Sequence, residues 1–238
     1  MADELLSIAA IGGFLLIAGL VIGGFDRRNF NLKWLLVAIG LVILNDVLVT
    51  RIYGLVPLVH GGQWNWQGKA MALAGSLLIA SSAWFGWKCV GLTFAQARQG
   101  RTTTSIVIAC VIAVFAGIAL ISPNAPTDMN TIAFQATMPG LEEEIFYRGT
   151  LLFALNEAFG RRWRIGGISI GWAALLSTVL FGLAHAIEVS EGVLSFDVLP
   201  FLMTAVPALI LVWVRERTGS LLWPIILHNL ANTLPHVL

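Results

Sequence analysis

The first half of the chain holds four long, nearly unbroken apolar stretches, Leu5–Phe25, Leu35–Pro57, Ala70–Trp87 and Thr103–Ile121. Each is close to the roughly 20 residues that an α-helix needs to cross the hydrocarbon of a bilayer. The second half continues the rhythm but interrupts it with polar groups. It predicts spans at about Leu141–Gly160, Ile165–Ile187, Val198–Val214 and Ser220–Val237. The pattern therefore predicts an all-α, polytopic membrane helix bundle of about eight transmembrane helices around an intramembrane polar cavity. Gly, Ala and Ser recur within the spans, as expected where helices pack closely in lipid. No linker, low-complexity segment or internal repeat stands out. Residues 1–238 are read as a single membrane domain, with four N-terminal helices in 1–125 and the polar-bearing core in 126–238.

Composition supports this reading. The chain is 58% hydrophobic and 11% charged, with a mean hydropathy of +0.85, whereas a soluble domain carries about 25% charged residues. The net charge of +1 is uninformative, but no Lys/Arg-rich run interleaved with aromatics exists to track a phosphate backbone, so no nucleic-acid partner is expected. Cys89 and Cys110 lie in apolar stretches and read as small hydrophobes rather than as a disulfide or a metal pair. Asp3 and Glu4 stand where a signal peptide would be basic, so the first span is expected to be a retained helix.

Charge sets the expected orientation. Arg27, Arg28, Lys33, Lys88, Arg98, Arg101, Arg161, Arg162, Arg164, Arg215 and Arg217 fall beside odd-numbered loops, while the other side has only Arg51 and Lys69. Odd loops are thus cytoplasmic and both termini extracytoplasmic, in a bacterial or archaeal cytoplasmic membrane. On this arrangement Glu143, His185, His228 and Asn232 lie at similar depth toward the outer face, as one water-accessible cavity would require.

The residue types suggest chemistry. Charge at membrane depth is expensive and marks function. Glu144 and Arg148 are i and i+4 with the acid first, the favourable order for a pair. Glu143 points about 100° away and is expected to lack that partner, a carboxylate suited to act as general base for water. Phe181 and His185 share a helix face, so the ring can support the imidazole. His228 and Asn232 share another, and both can donate hydrogen bonds to a developing oxyanion. Each patch alone also has a structural reading: a dipole-stabilised acidic helix start, a core histidine, or interhelical hydrogen bonds. Tyr147 reads equally as cavity or packing. Asp46 is expected to pair with Arg148 or Arg51, or to face the cavity. His60, Trp64 and Trp66 read as an interfacial aromatic loop, and His236 as solvated.

Glu143-Glu144-x-x-x-Arg148-Gly149, then Phe181-x-x-x-His185, then His228-x-x-x-Asn232 resemble the ordered motifs of the CPBP intramembrane proteases. This family comprises the type II CAAX prenyl endopeptidases and bacteriocin-processing enzymes, also called Abi proteins. Val179–His185 and Thr218–Leu221 match as well, so the resemblance covers roughly 130–236. It implies a glutamic endopeptidase that needs no metal and no cofactor. Glu143 would activate water with help from His185, His228 and Asn232 would form the oxyanion site, and Glu144 and Arg148 would organise the cavity. The family's glycine pair in the seventh helix is replaced here by Pro207-Ala208.

The implied partners are the lipid bilayer and a peptide or protein with a membrane-associated segment; a homo-oligomer stays open. The outward cavity favours an exported leader or sorting tail over a cytosolic CAAX tail. Three other readings remain: a zinc protease using Glu143, His185 and His228, a non-catalytic scaffold or regulator, and a proton-coupled transporter, which the missing inverted repeat disfavours.

Overall fold

Most of the long apolar segments become helices in the computed structural model, which describes residues 2–52, 63–98, 100–122 and 127–238. The first half forms α1 (Ala2–Phe25), α2 (Leu32–Thr50), α3 (Trp66–Ser81) and α4 (Arg101–Ile121). The second half forms α5 (Met129–Gln135), α6 (Met138–Glu144), a π-helical turn (Ile145–Leu151) that runs directly into α7 (Leu152–Ala158), then α8 (Trp172–Ala186), α9 (Val198–Thr218) and α10 (Leu222–Val237). Two antiparallel hairpins flank α8: β1 (Arg162–Ile165) with β2 (Ile168–Gly171), and β3 (Ile187–Ser190) with β4 (Val193–Phe196).

The fold is mostly helical, but it departs from the all-α expectation of eight spans. Among the described residues, four helices are long and apolar enough to cross a membrane: Leu5–Phe25, Leu32–Thr50, Arg101–Ile121 and Val198–Thr218. The expected span Ile165–Ile187 begins instead as a hairpin. Gly166 and Gly167 take φ of +59° and +77°, the left-handed pair that a two-residue hairpin turn requires, and this pairs Ile165 with Ile168. Only Trp172–Ala186 is left as helix. The expected span Ala70–Trp87 stops at Ser81, where Ser82 turns extended, and residues Ser82–Gly91 run on as hydrogen-bonded turns. His60 and the end of the expected span Leu35–Pro57 lie outside the described residues.

α1, α2, the π-turn, α7 and α8 share one apolar core, including Leu15, Leu35, Leu151, Leu155 and Leu180. α4, α9 and α10 share a second around Ile108, Val214 and Leu227. Large apolar side chains such as Ile17, Leu120 and Met203 point outward instead, the inversion expected of helices solvated by lipid. Trp64 and Trp66, read as membrane anchors, dock α3 onto α5 instead. Both pack on the Phe134 ring, at centroid distances of 4.9 and 5.1 Å, and donate to Thr131 and Asn130. His236 is not solvated: it is half-buried, with Nδ1 2.9 Å from Thr127 Oγ1. Cys89 and Cys110 are free and exposed.

Gly167 also abuts Arg217, which donates to its carbonyl; an added Cβ would come 2.5 Å from that guanidinium. Gly167→Val should therefore cost about 1–3 kcal/mol and lower the thermal unfolding midpoint in detergent; an unchanged midpoint would contradict this turn.

Candidate active site

The site begins where α3 leaves α2. The Asn65 side chain caps α3, its Oδ1 accepting from the Gly68 amide at 2.8 Å while its Nδ2 donates to the Val49 carbonyl at 2.7 Å. A Cβ on Gly68 would lie 2.2 Å from that same carbonyl, so only glycine permits the approach. The clip aims the next residue, Lys69, at α6. Its ammonium donates to Glu142 Oε2 at 2.7 Å and to Glu143 Oε1.

α6 is fastened to α10 by a similar device. Asn229 Oδ1 accepts from the Gly140 amide at 2.8 Å, and its Nδ2 donates to the Thr137 carbonyl at 3.3 Å. A Cβ at Gly140 would meet the Ile225 carbonyl at 2.7 Å. This close crossing brings His228 Nδ1 to 2.7 Å from Glu144 Oε1. The same oxygen lies 3.0 Å from Arg148 Nη1, and both side chains of that pair are fully buried. Arg148 sits in the π-turn, a distortion frequent at functional sites. The Tyr147 carbonyl within the turn accepts from Ser177 Oγ at 3.0 Å, and the Arg148 guanidinium lies 4.3 Å from the centre of the Phe181 ring.

Phe181 is the common neighbour of the aromatic and basic groups. Its ring lies 5.0 Å from Tyr147, 4.6 Å from His185 and 6.0 Å from His228. Its carbonyl is 2.8 Å from His185 Nδ1. A carbonyl only accepts, so Nδ1 carries the hydrogen and Nε2 of the neutral ring offers a lone pair. Likewise the carboxylate of Glu144 takes the Nδ1 hydrogen of His228. The other nitrogen, Nε2, faces Glu143 Oε2 at 3.6 Å. A cavity of about 210 Å³ opens here, lined by Lys69, Glu142, Glu143, Tyr147 and His185 together with Ile8, Ile11, Asn45 and Asp46.

The structure thus gathers Glu143, Glu144, Arg148, Phe181, His185, His228 and Tyr147. Asn232 is half-buried one turn beyond His228, without a hydrogen bond among the described residues. Glu143 is not the isolated carboxylate expected, because Lys69 holds it. Asp46 lies 3.5 Å from Arg51, so Arg51, not Arg148, is its ionic neighbour. Lys69, Glu142 and Asn229 were not foreseen as site residues. Three adjacent glutamates with one arginine imply a missing cation, and Lys69 begins a helix at the same expected depth; that charge deficit was the available signal. Among the described residues no three His, Cys, Asp or Glu side chains form a metal-holding group.

Residues 125–234 match the family model described as Type II CAAX prenyl endopeptidase Rce1-like. The match is consistent with a CPBP-family protease, as the motifs had suggested, and with the apolar helices it indicates an integral membrane protein. No curated protein and no solved structure matches the chain.

Asn229→Ala should strand the Gly140 amide and the Thr137 carbonyl at the helix crossing, destabilising the protein by about 1–3 kcal/mol. Asn232→Ala, which breaks no such bond, should stay within about 0.5 kcal/mol. Thermal midpoints in detergent compare them, and equal shifts would contradict the clamp.

Proposed function

With the family match over residues 125–234 as premise, we propose that the chain is a glutamate-type, metal-independent intramembrane endopeptidase. Its substrate is a membrane-associated or exported protein or peptide. The observation carrying this reading is the geometry of Glu143: its carboxylate lines the cavity, and among the described residues Oε2 has no hydrogen-bond partner while facing His228. That oxygen takes a proton from water, with the His185 Nε2 lone pair assisting. The hydroxide attacks the scissile carbonyl carbon, and the proton passes to the leaving amine as the C–N bond breaks. His228, its ring oriented by Glu144 through Nδ1, supplies one donor to the oxyanion. Asn232 on the same helix supplies the second donor once substrate fills the site.

The bias of Lys and Arg toward the odd-numbered loops supports a cavity on the extracytoplasmic side. Substrates on that side are leader peptides or C-terminal sorting tails of exported proteins.

Glu143→Ala should lower cleavage of membrane-anchored peptides by about 10²–10⁴-fold, read by mass spectrometry with purified protein in detergent, and a chelator should change nothing. Chelator-sensitive cleavage would move the assignment to a zinc enzyme. No cleavage by the wild type, together with a cellular phenotype that survives Glu143→Ala, would favour a scaffold. Sidedness is read separately: in a chain without Cys89 and Cys110, an impermeant thiol reagent added outside should label Glu188→Cys and not Arg161→Cys, and the reverse pattern would place the cavity inside.

A further inference from the structure

Glu142, Glu143 and Glu144 are consecutive, so a helix directs them about 100° apart, and no one cation on the same helix can serve all three. Arg148 takes Glu144. The other two converge on one atom of a distant helix, Lys69 Nζ, which is within ion-pair distance of Glu142 Oε2 and Glu143 Oε1 together. Lys69 is itself mostly buried, at 15% side-chain exposure, and Glu142 is almost wholly so, at 1%. Its backbone has no slack either, since Asn65 and Gly68 pin the first turn of α3 against the Val49 carbonyl. Such construction is more than an interfacial lysine needs. One carboxylate oxygen of Glu143 is fixed by the ammonium, and the other is left aimed at His228.

We infer that Lys69 is a positioning residue for the reaction: it holds Glu143 by Oε1, so that Oε2 is the oxygen left facing His228, and it ion-pairs Glu142 at the same time. The inference rests on the proteolytic reading above for its consequence, although the ion-pair arrangement can be tested without it. Losing Lys69 would leave neighbouring carboxylates in a low-dielectric wall, where one must take up a proton. Glu143 would then share a proton with Glu142 and lose both its fixed orientation and its basicity. Because the fault in that variant is excess negative charge, deleting the Glu142 charge should repair part of it.

The test uses the full chain in detergent. Dicyclohexylcarbodiimide modifies protonated carboxyl groups in apolar surroundings, and labelling at positions 142 and 143 is quantified by mass spectrometry for wild type, K69R, K69M, K69Q and K69M/E142Q. Wild type and K69R should label weakly, and K69M about tenfold more or beyond. K69Q, which keeps a donor but no charge, must behave as K69M and serves in its place if K69M does not fold. In peptide cleavage, K69M should lower kcat with little change in KM, and E142Q added to K69M should restore part of kcat. Equal labelling of wild type and the uncharged variants would overturn the inference, as would unchanged kcat in K69M. The expected labelling pattern without cleavage by any of the proteins would sink the protease reading and leave the role of Lys69 in the ion pairs standing.

Discussion

The buried ion pair between Glu144 and Arg148 is the constraint around which the second half of the molecule is arranged. Both side chains are fully excluded from solvent, and a charge removed from water is tolerated only with a partner at short range. Three elements enclose this pair. The π-turn that follows α6 carries Arg148 as its fourth residue. α8 supplies the Phe181 ring under the guanidinium, and α10 supplies His228 to the shared oxygen of Glu144. Loss of either charge would leave the other stranded, so the pair locks the relative placement of the helices that bear the two histidines. The groups of the candidate site inherit their geometry from this interaction.

How much of this was legible in the sequence follows from the range of each contact. Glu144 with Arg148 and Phe181 with His185 are four residues apart on helices, and helical periodicity alone places them together. His228 was recognisable as a polar group in an apolar helix. Lys69, by contrast, reaches carboxylates 73 and 74 residues away, and no local pattern encodes that pairing. Asn229 lies next to His228 rather than on its face, and a helical-face reading passes over it, yet it makes the bonds that close α6 on α10. The hairpins were hidden by composition. Ile168, Ile170 and the residues after them are as apolar as a spanning helix, and the Gly166-Gly167 turn was absorbed into an expected span.

The site is also less confined to the second half than its motifs imply. The family match covers residues 125–234, but the cavity wall draws Ile8 and Ile11 from α1, Val42, Asn45, Asp46 and Val49 from α2, and Lys69 from α3. The carboxylates Glu142 and Glu143 come from one half, and Ile8, Ile11, Asn45, Asp46 and Lys69 in the wall before them come from the other. Substitutions in the N-terminal helices therefore act directly on the cavity.

The helix that carries His185 is shorter than each of the four helices long enough to cross a membrane. Trp172–Ala186 has 15 residues, an extent of about 22 Å at 1.5 Å per residue, against a hydrocarbon thickness of about 30 Å. Each end passes at once into a hairpin with open strand edges, and unpaired backbone of that kind is not stable in lipid tails. The two ends of this helix therefore call for protein or headgroup surroundings rather than lipid tails. His185 is one residue from the C-terminal end of the helix, beside β3, so it stands close to that polar boundary.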